Sequence, residues 1–310
     1  LNEYIERWQL QADKIMDRPA LMNMPLPPPE NRKFKYARGL PSYDESMKEF
    51  NVNGDLIAMI YAGFMKYAEI QKIKGNTEQY QLFCKKAEKY KELYDTVWWN
   101  DQTGKYYTFL IDGKLIKTDY DNLLVSWYGI IDDPQRLSSM LEEVTQNKTI
   151  VECKSYFPLI YYKKSCPEVA YNYMNELYTD SRRDYPEVAS SLIESVVCGL
   201  AGIDVNAVEK RIGSCPRFTE KTNWVAIENI PTFTGLISIL HISEIKSSFM
   251  NKGKQDVTWR VMFKGEHSDI LCDGRKIKAF SYADILGNVY SYADISCPAG
   301  KCVTAQVSLN

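Results

Sequence analysis

Histidine is scarce in this chain of 310 residues, with only His241 and His267 present. The eight cysteines form no Cys-x-x-Cys pair, so the common ligand sets of a zinc site are missing; neither a metal nor another cofactor is expected. No run of eighteen apolar residues occurs, which excludes a membrane-spanning helix and a membrane partner. Basic charge is not in excess: 38 Lys and Arg face 40 Asp and Glu, and no basic patch offers itself to a nucleic acid. Neither a Gly-rich phosphate loop nor a nucleophile elbow appears, so phosphate cradling and Ser-triad chemistry are not anticipated. There is also no leader segment and no initiator Met. Leu1 opens straight into polar, helix-like sequence, and the chain reads as part of a longer polypeptide.

The remaining composition, 45% hydrophobic and 25% charged, is that of a globular protein with room for two domains. Tyrosine is frequent, with 22 copies, which suits either a long wet cleft or ordinary packing. From residue 44 to about 204 the chain reads as helices in pairs. The first of each pair is apolar on most faces: 53–75, 121–131, 155–162 and 186–201. The second is striped: 77–98, with Tyr80, Phe83, Ala87, Tyr90, Leu93 and Val97 on one side, then 133–146 and 167–180. Helices apolar all round are buried, and striped ones are half-buried. Alternation of the two predicts an inner ring wrapped by an outer one, an α/α toroid. A solenoid of helical repeats is the competing arrangement, but its repeats recur at fixed spacing, and here the spacing is irregular. The stretch 98–116 inserts a β-hairpin between two helices.

From about residue 205 the texture changes to short β-type runs at 233–242, 256–265, 275–280 and 301–309, separated by turns. An antiparallel β-sandwich without catalytic residues is expected there. Residues 1–43 hold an N-terminal helix and the Pro-rich connector 24–34. Cys297 and Cys302 flank a Pro/Gly turn that a disulfide closes in an oxidising compartment.

Three segments carry a likeness to a known family. Residues 66–107, "KYAEIQKIKGNTEQYQLFCKKAEKYKELYDTVWWNDQTGKYY", resemble the paired helices of the six-hairpin glycosidases, with their aromatic, Asn-Asp and Thr-Gly-x-Tyr-Tyr turn. Residues 196–218 and 229–241 resemble that superfamily's passage from the last barrel helix into a C-terminal sandwich. The chain is similar to the C-terminal part of a bacterial enzyme of the α-L-rhamnosidase type. That resemblance implies an (α/α)6-type toroid with two inner helices supplied upstream of Leu1 or by residues 1–20, polysaccharide breakdown, and a periplasmic or secreted location. It also implies a carbohydrate substrate. A non-catalytic carbohydrate-binding or assembly fragment of a larger glycosidase is the alternative, and a solenoid for protein partners stands third.

Glycoside hydrolysis needs two carboxyl groups across the scissile bond, one to protonate the leaving oxygen and one to attack or activate water. In a toroid the N-terminal ends of the inner helices line the funnel, and each such end here carries an acid: Asp55, Asp119 and Asp121, Glu152, and Glu187. Asp44 and Glu45 stand in the loop before the first inner helix. Asp is a good N-cap and Glu is favoured in a first turn regardless of any catalytic task, so capping competes with function at each position. Asp44 and Glu45 have no cap to make, and Glu187 has Arg182, Arg183 and Asp184 beside it; these three acids are the catalytic candidates. Asp55 and Asp121 are candidates for holding the substrate, with Tyr43, Trp127 and Tyr185 offering rings to sugar faces. Glu194 falls on the apolar side of its helix as an inward or paired carboxylate.

Overall fold

The computed structural model describes residues 52–111, 114–118, 124–146 and 149–307. They fall into two compact units that divide between Thr149 and Ile150.

In the first unit, β1 (Val52–Asn53) leads into α1 (Gly54–Ile73), and a turn at Gly75 (φ 77°) returns the chain as α2 (Thr77–Val97). The two pack along their length through Phe64, Tyr67, Phe83 and Tyr90, with Tyr67 edge-on to Phe83 at 4.4 Å. Nine of the 20 residues of α1 are buried and only four of the 21 in α2, the asymmetry the apolar pattern anticipates. Two hairpins follow, where one was expected: β2 with β3 (Trp99–Asn100, Lys105–Tyr106), then β4 with β5 (Phe109–Ile111, Lys114–Ile116). β4 also pairs with β1, so a three-stranded sheet grips the start of α1. The short α3 (Leu124–Tyr128) packs on α1, and α4 (Pro134–Gln146) buries Leu137, Met140, Leu141 and Val144, its expected stripe.

The second unit opens with α5 (Val151–Lys154), α6 (Phe157–Lys163), α7 (Pro167–Thr179) and α8 (Pro186–Glu194), the last running on into a π-helical turn, Ser195–Leu200. Six of the seven residues in α6 are buried against two of the 13 in α7, again the inner and outer contrast. α8 departs from it. Among Pro186–Glu194 only Val188 is buried; Ile193 is 66% exposed and Glu194 is exposed, not inward. An apolar circumference records what a helix is able to bury, and burial still requires a neighbour on each side. Here Val188 and Leu192 face Val151 and Leu177, and Ile193 points away from them.

The chain then forms two sheets. Strands β6 (Asp204–Asn206), β7 (Arg211–Ser214), β11 (Val257–Lys264), β14 (Phe280–Ala283) and β15 (Val289–Cys297) make one, ordered β14-β15-β11-β7-β6. Strands β8 (Trp224–Thr232), β9 (Gly235–Ile242), β10 (Lys246–Asn251), β12 (Asp269–Cys272), β13 (Arg275–Lys278) and β16 (Cys302–Gln306) make the other, ordered β13-β12-β16-β10-β9-β8. Every pairing is antiparallel except β7 with β11. Val257, Trp259, Val261 and Phe263 alternate inward along β11, and Trp259 stacks on Phe249 of the opposite sheet at 5.4 Å. This is the anticipated sandwich. Cys297 ends a strand of one sheet and Cys302 begins a strand of the other; both thiols are free.

Helices and sheets of this unit are tied around Ala201 and around Ser165. His241, fully buried on β9, reaches the Ala201 carbonyl, and Arg217 donates to the carbonyls of Cys198 and Gly199. Ser165, held at φ 59° after α6, donates its hydroxyl to Asp284 at 2.6 Å and lies 2.6 Å from the Tyr290 hydroxyl.

Candidate active site

The acids at helix starts are placed by the local chemistry of those starts. At α1, Asn53 occupies the N-cap, and its Oδ1 accepts from the Asp55 amide at 3.4 Å. The Gly54 amide donates to Thr108, fastening the cap to the hairpin beside it. Asp55 is therefore not the cap. The sequence carries the signal for this in "NGD", since Asn is among the best N-cap residues and stands two positions earlier. Asp55 is only 1% exposed, and a carboxylate so buried is costly unless its surroundings compensate. The helix N-terminus is one such compensation. Tyr94 lies close by; burial first, and then Tyr106, Asp55 and other acids, hold its phenol well above the ordinary value, so it stays neutral. Trp127, on α3, is half-buried in the same unit.

In the second unit the first turns of α5 and α8 converge. Val151 and Val188 pack into one cluster with Leu177, which brings the adjacent Glu152 and Glu187 to the same end of the helical layer. Arg182, in the turn before α8, places Nη1 at 2.6 Å from Glu152 Oε1 and its guanidinium 4.9 Å from the centre of the Tyr185 ring. Glu152 Oε2 is buried and meets no hydrogen-bond donor among the described residues. Glu187 is half-buried in the first turn of α8, and Tyr185 is the N-cap residue by backbone geometry, with no side-chain cap bond. One basic side chain thus joins an acid of one helix to the aromatic ring that introduces another. The sequence sets Arg182 beside Glu187; the fold gives it to Glu152, because the chain folds back between α7 and α8.

Of the positions singled out in the sequence, Asp55 and Trp127 belong to the first unit and Tyr185 and Glu187 to the second. Tyr43, Asp44, Glu45, Asp119 and Asp121 lie outside the described residues. Among the described residues no group of three or more His, Cys, Asp and Glu is arranged to hold a metal ion.

Relatives of known kind complete the picture. The chain matches the family model "Trehalase" over residues 45–208, a little more than half of its length. Its fold is similar to that of an α-L-rhamnosidase from Dictyoglumus thermophilum, with a TM-score of 0.57 and 13% identity over 86% of this chain and 35% of that one. A protein described as "Putative kojibiose phosphorylase from human microbiome" aligns at a TM-score of 0.48 and 14% identity, over 85% of this chain and 42% of that one. Among curated proteins, the probable arabinogalactan endo-β-1,4-galactanase A of Aspergillus tubingensis is 27% identical over 117 residues, 34% of this chain and 32% of that protein. The chain spans about a third of the length of the curated relatives it matches. Helical hairpins followed by an antiparallel sandwich, together with the family match across the hairpins, decide the affiliation: the chain belongs to the trehalase family, within the six-hairpin glycosidase superfamily.

Proposed function

We propose that the chain takes part in hydrolysis of a glycosidic bond, using carboxylates at helix N-termini and no cofactor. The observation that supports this most is the convergence of the acidic first turns of α5 and α8 around Arg182 and Tyr185. In this reading Glu187 acts as general acid or base. Arg182 holds Glu152 in place, and Tyr185 offers its ring to a sugar face. Asp44 and Glu45, in the segment before α1, are the other catalytic candidates of the sequence. Tyr43, Asp55, Asp121 and Trp127 are the first unit's own candidates for contact with a sugar. Aryl α-L-rhamnosides and trehalose are the first substrates to try, on the strength of the fold likeness and the family match.

A first-turn carboxylate needed only for the helix dipole contributes about 0.3–1 kcal/mol of stability. A general acid or base contributes roughly 10²–10⁴ in rate. Turnover of these substrates by the intact polypeptide and by Glu187→Gln separates the two roles. A loss of at least about a hundredfold with little change in melting temperature is expected. Equal turnover in the variant removes Glu187 from the mechanism. A second reading, a carbohydrate-binding piece of a larger glycosidase, is favoured by the exposed flank of α8 at Ile193. It predicts sugar binding with no turnover in the unsubstituted chain.

A further inference from the structure

The outer face of the five-stranded sheet carries an aromatic cluster for which the hydrolytic reading has no use. Residues paired directly across antiparallel strands point to the same side of a sheet. The register sets Phe280 against Tyr292, Tyr282 against Tyr290, Met262 against Tyr292 and Arg260 against Asp294, so all of them share one face. The other face holds Trp259, Val261, Phe263, Ala293 and Ile295, all buried in the sandwich. Phe280 and Tyr292 have ring centres 5.6 Å apart, and Tyr282 lies 6.3 Å from Tyr292. Ser165 closes one end of this row over Tyr290, and the rest is open: Phe280 is 58% exposed and Tyr282 43%.

Two pairs of opposite charge on this face are satisfied internally. Arg260 donates two hydrogen bonds to Asp294, at 2.7 and 2.6 Å, while its guanidinium lies 4.5 Å from the centre of the Tyr292 ring. At the sheet's far side Arg211 pairs with Glu209 at 2.9 Å. Lys264, opposite Tyr290, and Asp204, opposite Gly213, stand on the same face and add one charge of each sign, so the face carries no excess positive charge to draw an anionic polymer. What the face offers is apolar ring surface beside fixed, neutralised polar groups. Arg260 keeps donors that its two bonds to Asp294 do not use. A pyranose ring presents the matching chemistry: an apolar C–H face and a rim of uncharged hydroxyls.

We propose that this face is a second carbohydrate-binding surface, taking a neutral polysaccharide along Phe280, Tyr282 and Tyr292 with Arg260 and Asp294 at its hydroxyls. The proposal rests on the reading of the chain as acting on glycosides. The test is electrophoresis of the full chain through native gels containing soluble β-1,4-galactan, arabinogalactan or starch, with dextran sulfate as the charged comparison. At least one neutral polymer retards the protein, and Phe280→Ala and Tyr282→Ala each weaken that retardation by about tenfold, the loss of one good stacking contact. Both variants keep the circular dichroism and melting temperature of the parent, since both side chains are exposed, and both keep any turnover of short aryl glycosides.

Retardation by none of the neutral polymers, by dextran sulfate alone, or equally in parent and variants overturns the proposal. So does a concentration-dependent dimer that Phe280→Ala dissolves in sedimentation, which would make the face a contact between copies. A chain that is retarded through Phe280 but hydrolyses nothing refutes the proposed hydrolysis and leaves this surface standing. A chain that hydrolyses glycosides without retardation refutes the surface alone.

Discussion

Acidification should weaken this protein through one residue, His241. Its imidazole is fully buried on β9. Nε2 lies 3.1 Å from the Ala201 carbonyl and must donate to it, which leaves Nδ1 to accept from the Ser247 hydroxyl at 2.6 Å. Burial pushes the pKa down to about 4 from its ordinary 6.5; the Ala201 carbonyl works against that drop, and the positive Arg217 adds to it. The native state therefore stays neutral at this site over a range in which the unfolded chain takes up a proton. Stability from this residue is complete above pH 6.5, declines as pH falls, and is gone below about pH 4. Between pH 7.5 and 4.5 the loss comes to about 2.5 kcal/mol, a large share of a usual folding free energy. Urea unfolding at a series of pH values measures it, with His241→Gln as the comparison because Gln keeps a donor and an acceptor and does not titrate. The variant is less stable at pH 7.5, and its curve against pH is flatter than the parent's by about that amount. With only one other histidine in the chain, an NMR titration of the ring protons locates the effect. Parallel stability curves for parent and variant, or a His241 ring that titrates near 6.5, refute the reasoning.

Gly202 has φ 61°, and a Cβ built there falls 2.3 Å from the Cys215 carbonyl oxygen, a backbone atom. Gly202→Ala should lower stability by at least about 1–3 kcal/mol in thermal unfolding. Asn53→Ala removes the cap of α1 and should cost about 1 kcal/mol; no effect would mean the cap bond is not formed in solution. Ser165→Ala strips Asp284 of a donor and Tyr290 of a partner at the tie between α6 and the sheet, a loss of about 1.5–3 kcal/mol by urea titration.

The pairing of inner and outer helices is legible in the sequence because it rests on composition by face: Phe64 and Tyr67 on one helix meet Phe83 and Tyr90 on the next. β9 and β11 declare themselves by alternation, and the change of texture near residue 205 matches β6, which begins at Asp204. β8, β10 and β15 escape that reading, since their exposed and polar residues dilute the period-two signal that a half-covered strand gives. α8 misleads for a different reason: Ile193 is as apolar as a core residue, but no local pattern says whether a neighbour arrives to cover it. The acids at helix starts are legible because helix dipoles concentrate them there. Arg182 is legible as a neighbour of Glu187 and illegible as the partner of Glu152, a contact made across thirty residues by tertiary folding.

The clamp that Arg217 and His241 place on the end of α8 makes that helix a lever. From Leu200 to Glu187 is about 20 Å of rod at 1.5 Å per residue, fixed to the sandwich at one end and carrying the proposed acid at the other. A tilt of roughly three degrees at the anchor swings Glu187 through about 1 Å, and a displacement of that size is enough to change a catalytic rate about a hundredfold. Substitutions around Arg217, just after β7, or Ser247, on β10, are thus able to retune the carboxylate without touching it.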